Sequence, residues 1–117
     1  MIKPSDPREL AIDLLPRSIC AVRVAAVVCD AGGNIISWGW NSVGNGLGMH
    51  AEAHAIRRSN KDRLWYGTIY VASQRRGKSI MSRPCETCQR QIDKWKLATV
   101  YRDGREHWVG KDAYANV

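Results

Sequence analysis

The sequence predicts an α/β fold: a central mixed sheet of five strands with helices on its faces, closing on a β-hairpin. Three observations carry this. The stretch from Ile19 to Cys29 is almost entirely apolar and rich in valine, broken by Arg23, as expected of a strand covered on both faces. Helical and strand patterns follow one another in the order α-β-β-α-β-α-β-β, the signature of a layered α/β domain. Near the end, Asp103-Gly104 separates two short strand patterns and reads as a two-residue hairpin turn.

The elements follow in order. Pro7 opens a helix that ends near Leu15, with Leu10, Ala11, Leu14 and Leu15 on its apolar side and Pro16 to stop it. The valine-rich strand ends at Cys29, Asp30-Ala31-Gly32-Gly33 turns the chain, and residues 34–40 return as a second strand. A glycine-rich loop, residues 41–48, leads to a helix from His50 to about Asn60, with Ala51, Ala55 and Ile56 as its apolar positions. Thr68 to Ser73 reads as a third strand, and residues 74–84 as a basic loop. Glu86 to Trp95 forms a further helix, with Ile92 and Trp95 toward the core. Thr99 to Arg102 and Glu106 to Val109 complete the hairpin.

The 117 residues suit a single domain, residues 1–117, large enough to bury a core without disulfide staples. No apolar run approaches a membrane span, and the first fifteen residues lack the apolar centre of a secretory signal. An intracellular, cytoplasmic protein with no membrane partner is therefore expected. The net charge of +7 favours phosphate-bearing partners, with a generically basic surface as the plain alternative. The basic residues cluster at Arg57, Arg58, Lys61 and Arg63, and again at Arg75, Arg76 and Lys78.

Two fragments carry chemistry. One is His50-Ala51-Glu52 at a helix start, the other Pro84-Cys85-Glu86-Thr87-Cys88 at a second helix start. A Cys-x-x-Cys alone suits a structural zinc knuckle or a redox pair. A four-cysteine site is awkward, because Cys20 and Cys29 lie in the apolar run and read as core residues. A redox pair belongs after the first strand of a thioredoxin-like unit, and this one follows the third. One histidine and two cysteines, in contrast, suit zinc, and three protein ligands leave a fourth position for water. Cysteines three apart on a first helical turn share a face, and a helix N-terminus stabilises thiolates. Glu52, two residues from His50, is placed to move protons rather than to bind the metal, and zinc brings the pKa of water to about 7.

The pattern His-x-Glu followed by Pro-Cys-x-x-Cys is the zinc deaminase signature, and the chain resembles the cytidine deaminase superfamily from the valine-rich hairpin to Val109. That resemblance implies a three-layer α-β-α sandwich with a central five-stranded mixed sheet, cytidine deaminase-like, and a C-terminal β-hairpin. It implies Zn2+ as cofactor, held by His50, Cys85 and Cys88, with Glu52 as the catalytic proton carrier. Gly39-Trp40-Asn41 resembles the tRNA adenosine deaminases, which implies a substrate contact for Asn41; the alternative is a strand-ending turn residue. Thr68-Ile69-Tyr70-Val71 resembles the strand that leads into the cysteine motif. Ser82-Arg83-Pro84-Cys85 resembles small phage-type deaminase domains, so a phage-encoded source fits.

Ala51 and Pro84, beside the ligands, join Asn41 as candidate substrate-binding residues. So does Trp65, which neighbours Tyr66 and Arg63 and can stack a base; most of the five tryptophans are expected in the core, since the chain has no phenylalanine. His54 lies one turn after His50, but Ala51 stands where a His-Glu-x-x-His protease needs its glutamate, and His54 reads as a packing residue. His107 has no assigned role.

The chemistry requires an exocyclic amine on an amidine-like ring, and cytosine is the commonest target of the superfamily. An antiparallel final strand resembles the free-cytidine deaminases and several bacterial toxin deaminases, whereas tRNA and dCMP enzymes usually run a helix and a parallel fifth strand there. The expected function is therefore hydrolytic deamination of cytosine in a free nucleoside or nucleotide. The glycine-rich loop or nearby arginines are candidates for binding a phosphate. Two alternatives stand beside it: action on cytosine or adenine in single-stranded DNA or RNA, and an inactive zinc-stabilised nucleic-acid-binding module. A homo-oligomer is expected on the resemblance.

Overall fold

The structure is a computed structural model that describes residues 6–42 and 50–113; most of the glycine-rich loop, from residue 43 to 48, lies outside them. Asp6 caps helix α1 (Pro7–Leu14), its carboxylate accepting from the Arg8 amide, and Pro7 occupies the first turn, where no amide donor is needed. The α-helix ends one residue before Leu15, and Pro16 sits within a 3-10 turn, Leu15–Arg17.

Strand β1 (Val22–Cys29) pairs antiparallel with β2 (Ile35–Trp40) on one side and β3 (Thr68–Arg75) on the other. It starts at Val22 rather than Ile19, because Ser18 turns the chain: its hydroxyl accepts from the Cys20 amide, and Ile19 is left exposed. Strand β5 (Ala98–Arg102) lies parallel to β3, and β6 (Trp108–Val109) runs antiparallel to β5. The sheet order β2-β1-β3-β5-β6 is the expected mixed five-stranded sheet, with one addition: β4 (Lys78–Ser79) folds back on β3. The expected basic loop thus begins as a hairpin.

Alternation along β1 divides the core. Ala25, Val27 and Cys29 face α1, together with Tyr70, Ala72 and Val100. Ala26 and Val28 face the opposite side with Ile69 and Val71, under α2 (Ala51–Arg58) and α4 (Glu86–Lys94). Both faces of the central strands are covered, which explains their continuous apolar run. A short helix α3 (Lys61–Leu64), capped by Asn60, follows α2 where the sequence pattern showed no element.

The C-terminal hairpin forms, but not through a two-residue turn. Arg102 pairs with Trp108, so residues 103–107 form the loop. The Asp103 carboxylate accepts from the amides of Arg105 and His107, and the Asp103 amide donates to the His107 carbonyl. Side-chain capping by Asp103 outcompetes the tighter Asp-Gly turn.

Candidate active site

The sheet brings two helix N-termini to one place. His50 is the N-cap residue of α2, and Cys85 that of α4; neither makes a side-chain capping bond. Serine, threonine, aspartate or asparagine in such positions typically adds about 1 kcal/mol; both helices forgo that cap and carry a nitrogen or sulfur donor there instead. Gly39 sets the depth of α2. A Cβ there would lie 2.7 Å from the Ala55 nitrogen and 2.8 Å from the His54 Cβ, so only glycine lets β2 approach the helix this closely. The Ser37 hydroxyl, donating to the Ala55 carbonyl at 2.7 Å, fastens the same contact. On the other side, the Ser82 amide donates to the Arg102 carbonyl and ties the segment before Cys85 to the end of β5.

The result is a tight trio. The His50 Nδ1 lies 3.6 Å from the Cys85 Sγ and 3.3 Å from the Cys88 Sγ, and all three atoms fall within 4.8 Å of one another. His50 and Cys85 are exposed and Cys88 is buried, so the trio is closed on the protein side and open on the other. One imidazole and two thiols at these separations form a donor set that zinc accepts, with a corner left open. Burial pushes the Cys88 thiol well above its ordinary pKa, and the Glu52 carboxylate pushes it further. A divalent ion would reverse that order, since it holds a coordinating thiol deprotonated.

Glu52 sits in the first turn of α2, only 5% exposed. Burial raises its pKa above the usual carboxylate range; its own amide, His50 and the hydrogen bond with Cys88 pull in the opposite direction. Among the described residues it has no lysine or arginine partner. A buried carboxyl without a cation is costly for stability alone and is of the kind that serves to exchange protons.

Glu52, His50, Ala51 and Cys85 line one cavity of about 410 Å³, with Asn41, Ser73 and Ser82 as further polar groups and Val22, Val24, Ile80 and Met81 as apolar walls. That size and mixture suit a small polar ring compound. Cys29 is the expected core residue, its thiol pushed up to about 12 by burial. Cys20 is not: it precedes β1, is half-buried, and lines the cavity. Arg83 also lines the cavity and lies over the Tyr101 ring, 5.5 Å from its centroid. Neither was evident from the sequence, because the register that brings the start of β1 beside the cysteine loop is a tertiary feature.

The candidate substrate residues separate. Ala51 lines the cavity. Asn41 does too, but its amide is largely engaged: its oxygen accepts from the Ser18 hydroxyl at 2.7 Å and the Val24 amide at 2.9 Å, and its nitrogen donates to the Val22 carbonyl at 2.8 Å. One N–H is left, so Asn41 chiefly fixes the ends of β1 and β2. Pro84 is buried and does not line the cavity. Trp65 is not brought to the site; its ring packs edge-on against Trp95, centroids 4.8 Å apart. His54 packs, as expected, with its ring against Trp40 and its Nδ1 within 3.3 Å of the Trp40 amide. A second cleft, of about 540 Å³, lies between α2 and α4 and carries Arg57, Lys61 and Lys94. Among the described residues no helix is long and apolar enough to cross a membrane.

The family model of the cytidine and deoxycytidylate deaminase zinc-binding region matches residues 8–102. The match spans His50, Cys85 and Cys88, and the His/Cys/Cys cluster is consistent with Zn2+. A search of curated sequences finds no significant match. Among solved structures, a cytidine deaminase from Burkholderia pseudomallei superposes with a TM-score of 0.70 at 17% identity, over 96% of this chain and 94% of that one. A cytidine deaminase from Mycobacterium leprae gives 0.63 at 15% identity, over 100% and 98%. A dCMP deaminase from the cyanophage S-TIM5 gives 0.61 at 21% identity, over 87% and 86%. Structures this distant establish the fold, and the family model establishes descent: the chain belongs to the cytidine and deoxycytidylate deaminase family.

Proposed function

We propose that this chain is one catalytic domain that hydrolytically deaminates the cytosine base of a free nucleoside or nucleotide. The observation that carries it is the meeting of His50, Cys85 and Cys88, of which His50 and Cys85 line the cavity that also holds the buried Glu52. His50, Cys85 and Cys88 would hold zinc, which supplies the acidity that makes water a nucleophile at neutral pH. Glu52 does the proton work. It takes a proton from the attacking water and gives it to the ring nitrogen, so that a C–O bond forms at the amine-bearing carbon. It then carries the second proton to the amine as the C–N bond breaks. Cytosine and water become uracil and ammonia, and Glu52 returns to its starting state. Ala51, packed without side-chain bulk between His50 and Glu52, leaves room for the flat ring, and the free N–H of Asn41 offers it one donor.

The antiparallel β5–β6 pairing supports a free nucleoside over a tRNA substrate, since it is the arrangement expected of free-cytidine enzymes, and does not itself favour the nucleotide. The basic α2–α4 cleft favours a second reading, in which a single strand follows Arg57, Lys61 and Lys94. An intracellular setting and a homo-oligomer belong to the proposal as well. All four cysteines are free thiols, and Met81, a cavity residue 57% exposed, offers apolar surface at the mouth. The test is ammonia release from cytidine, CMP, dCMP and a cytosine-bearing oligonucleotide by zinc-loaded protein, with Glu52→Ala as control. Release from the monomers that disappears in the control supports the proposal; release from the oligonucleotide alone, or from none of the four, overturns it.

A further inference from the structure

Beside the cavity that holds Glu52 lies another of about 430 Å³, lined by Arg23, Gln74, Arg75 and Arg76 at the ends of β1 and β3. Cys20 belongs to the walls of both. The strand register shows how they connect. Val24 pairs with Ser73, and Val22 with Arg75; directly paired residues share a face. Val22, Val24 and Ser73 all line the catalytic cavity, so Arg75 stands one step beyond Ser73, at the cavity's edge.

The electrostatics are one-sided. No acidic residue lines this neighbouring pocket. Arg8, Arg63, Arg90 and Arg102 each have a carboxylate within 4.0 Å, whereas among the described residues Arg23, Arg75 and Arg76 have none. The backbone gives a second, independent sign. Arg75 and Lys78 pair across a turn whose central residues, Arg76 and Gly77, have φ of 52° and 77°. A two-residue turn with both central φ positive favours asparagine, aspartate or glycine at its first position. Arginine there is strained, and this arginine is among the residues that line the pocket.

We infer that this pocket binds the phosphate of a cytosine nucleotide, so that the enzyme acts on the 5′-monophosphate in preference to the free nucleoside. The inference rests on the deaminase reading above and names its substrate class. Arg75, at the shared edge, together with Arg23 and Arg76, which line the same pocket, supplies charge-assisted hydrogen bonds to the phosphate oxygens. The base meanwhile occupies the cavity beside Glu52.

Calorimetric titration of zinc-loaded Glu52→Ala protein with CMP and with cytidine, alongside kcat/KM of the otherwise unaltered enzyme for both, tests this. CMP should be favoured about tenfold or more, as expected for hydrogen bonds to a charged group. Arg75→Gln should narrow that ratio by a similar factor. Arg76→Asn should narrow it too while raising the Tm, because it relieves the turn; a merely structural arginine would not trade stability for nucleotide preference. Equal affinity for CMP and cytidine, or a ratio unmoved by both substitutions, overturns the phosphate site while leaving cytidine deamination standing. A cytosine-bearing oligonucleotide preferred over CMP also overturns it, in favour of a strand. Absence of any deamination by the zinc-loaded enzyme overturns the deaminase reading itself.

Discussion

The two faces of the sheet treat their polar groups in opposite ways. On the α1 face they are paired. The Arg8 guanidinium reaches both carboxylate oxygens of Asp112 at 3.1 Å, lies over the Tyr70 ring at 5.1 Å, and the Tyr70 hydroxyl donates to the same carboxylate. This network ties helix α1 and the segment after β6 to the central strand. On the α2–α4 face the groups are left poised. Two helices start without side-chain caps, a carboxyl is buried without a cation, and Cys88 is held far from its thiolate form. Paired polar groups are concentrated on one side and the proposed site on the other, so substitutions on the two faces should affect different observables.

The largest separation is expected at Glu52. Glu52→Gln should lower kcat by about 10²–10⁴, the usual contribution of a positioned acid–base group. The Tm of the metal-free protein should stay level or rise, since a neutral amide is less costly to bury. A parallel loss of stability would mean that Glu52 is part of the scaffold.

Gly39→Ala comes next and couples the faces. The added Cβ meets the backbone of α2, which carries His50 and Glu52. Denaturant unfolding should show a loss of about 1–3 kcal/mol, together with reduced zinc affinity. Unchanged zinc affinity would show that the α2–β2 distance does not set the site.

On the opposite face, Asp112→Ala removes the carboxylate that Arg8 and Tyr70 share. It should cost about 1–3 kcal/mol in the same unfolding measurement and leave kcat/KM unaltered. A drop in turnover would show that the two faces are not independent.

The smallest effect is in acid. Burial alone would raise the pKa of Asp30, but hydrogen bonds from Arg63, Asn34 and Gly32 outweigh it and hold the carboxyl below its ordinary value. A depressed carboxyl stabilises the fold above its unfolded pKa of about 4 and loses that contribution as pH falls through the folded value. Asp30→Asn should therefore lower stability slightly at neutral pH and flatten the decline below about pH 4; an unchanged acid limb would remove Asp30 from the balance.

Element order was legible because β1 is covered on both sides and its composition shows it: Ala25, Val27 and Cys29 serve one layer, Ala26 and Val28 the other. His50, Glu52, Cys85 and Cys88 were legible because they sit at fixed spacing on helix starts. Turns were less so. Asp103-Gly104 looked like a two-residue turn, but the Asp103 carboxylate found two amides further on. Arg76-Gly77 does form one, hidden because arginine is a poor turn former. Asn41 and Trp65 were read for chemistry from local context. The structure commits three of the Asn41 hydrogen-bonding positions to the backbone of β1 and to Ser18, and packs Trp65 against Trp95. Such commitments depend on partners distant in sequence.

X-ray absorption at the zinc edge, with metal content measured on the same sample, tests the proposed centre most directly. The expected result is one zinc per chain with two sulfur ligands at about 2.3 Å, the remaining ligands nitrogen or oxygen at about 2.0–2.1 Å, and one sulfur lost in Cys88→Ser. A sample without stoichiometric zinc, or a first shell with no sulfur or with four, would contradict a His50–Cys85–Cys88 site beside Glu52.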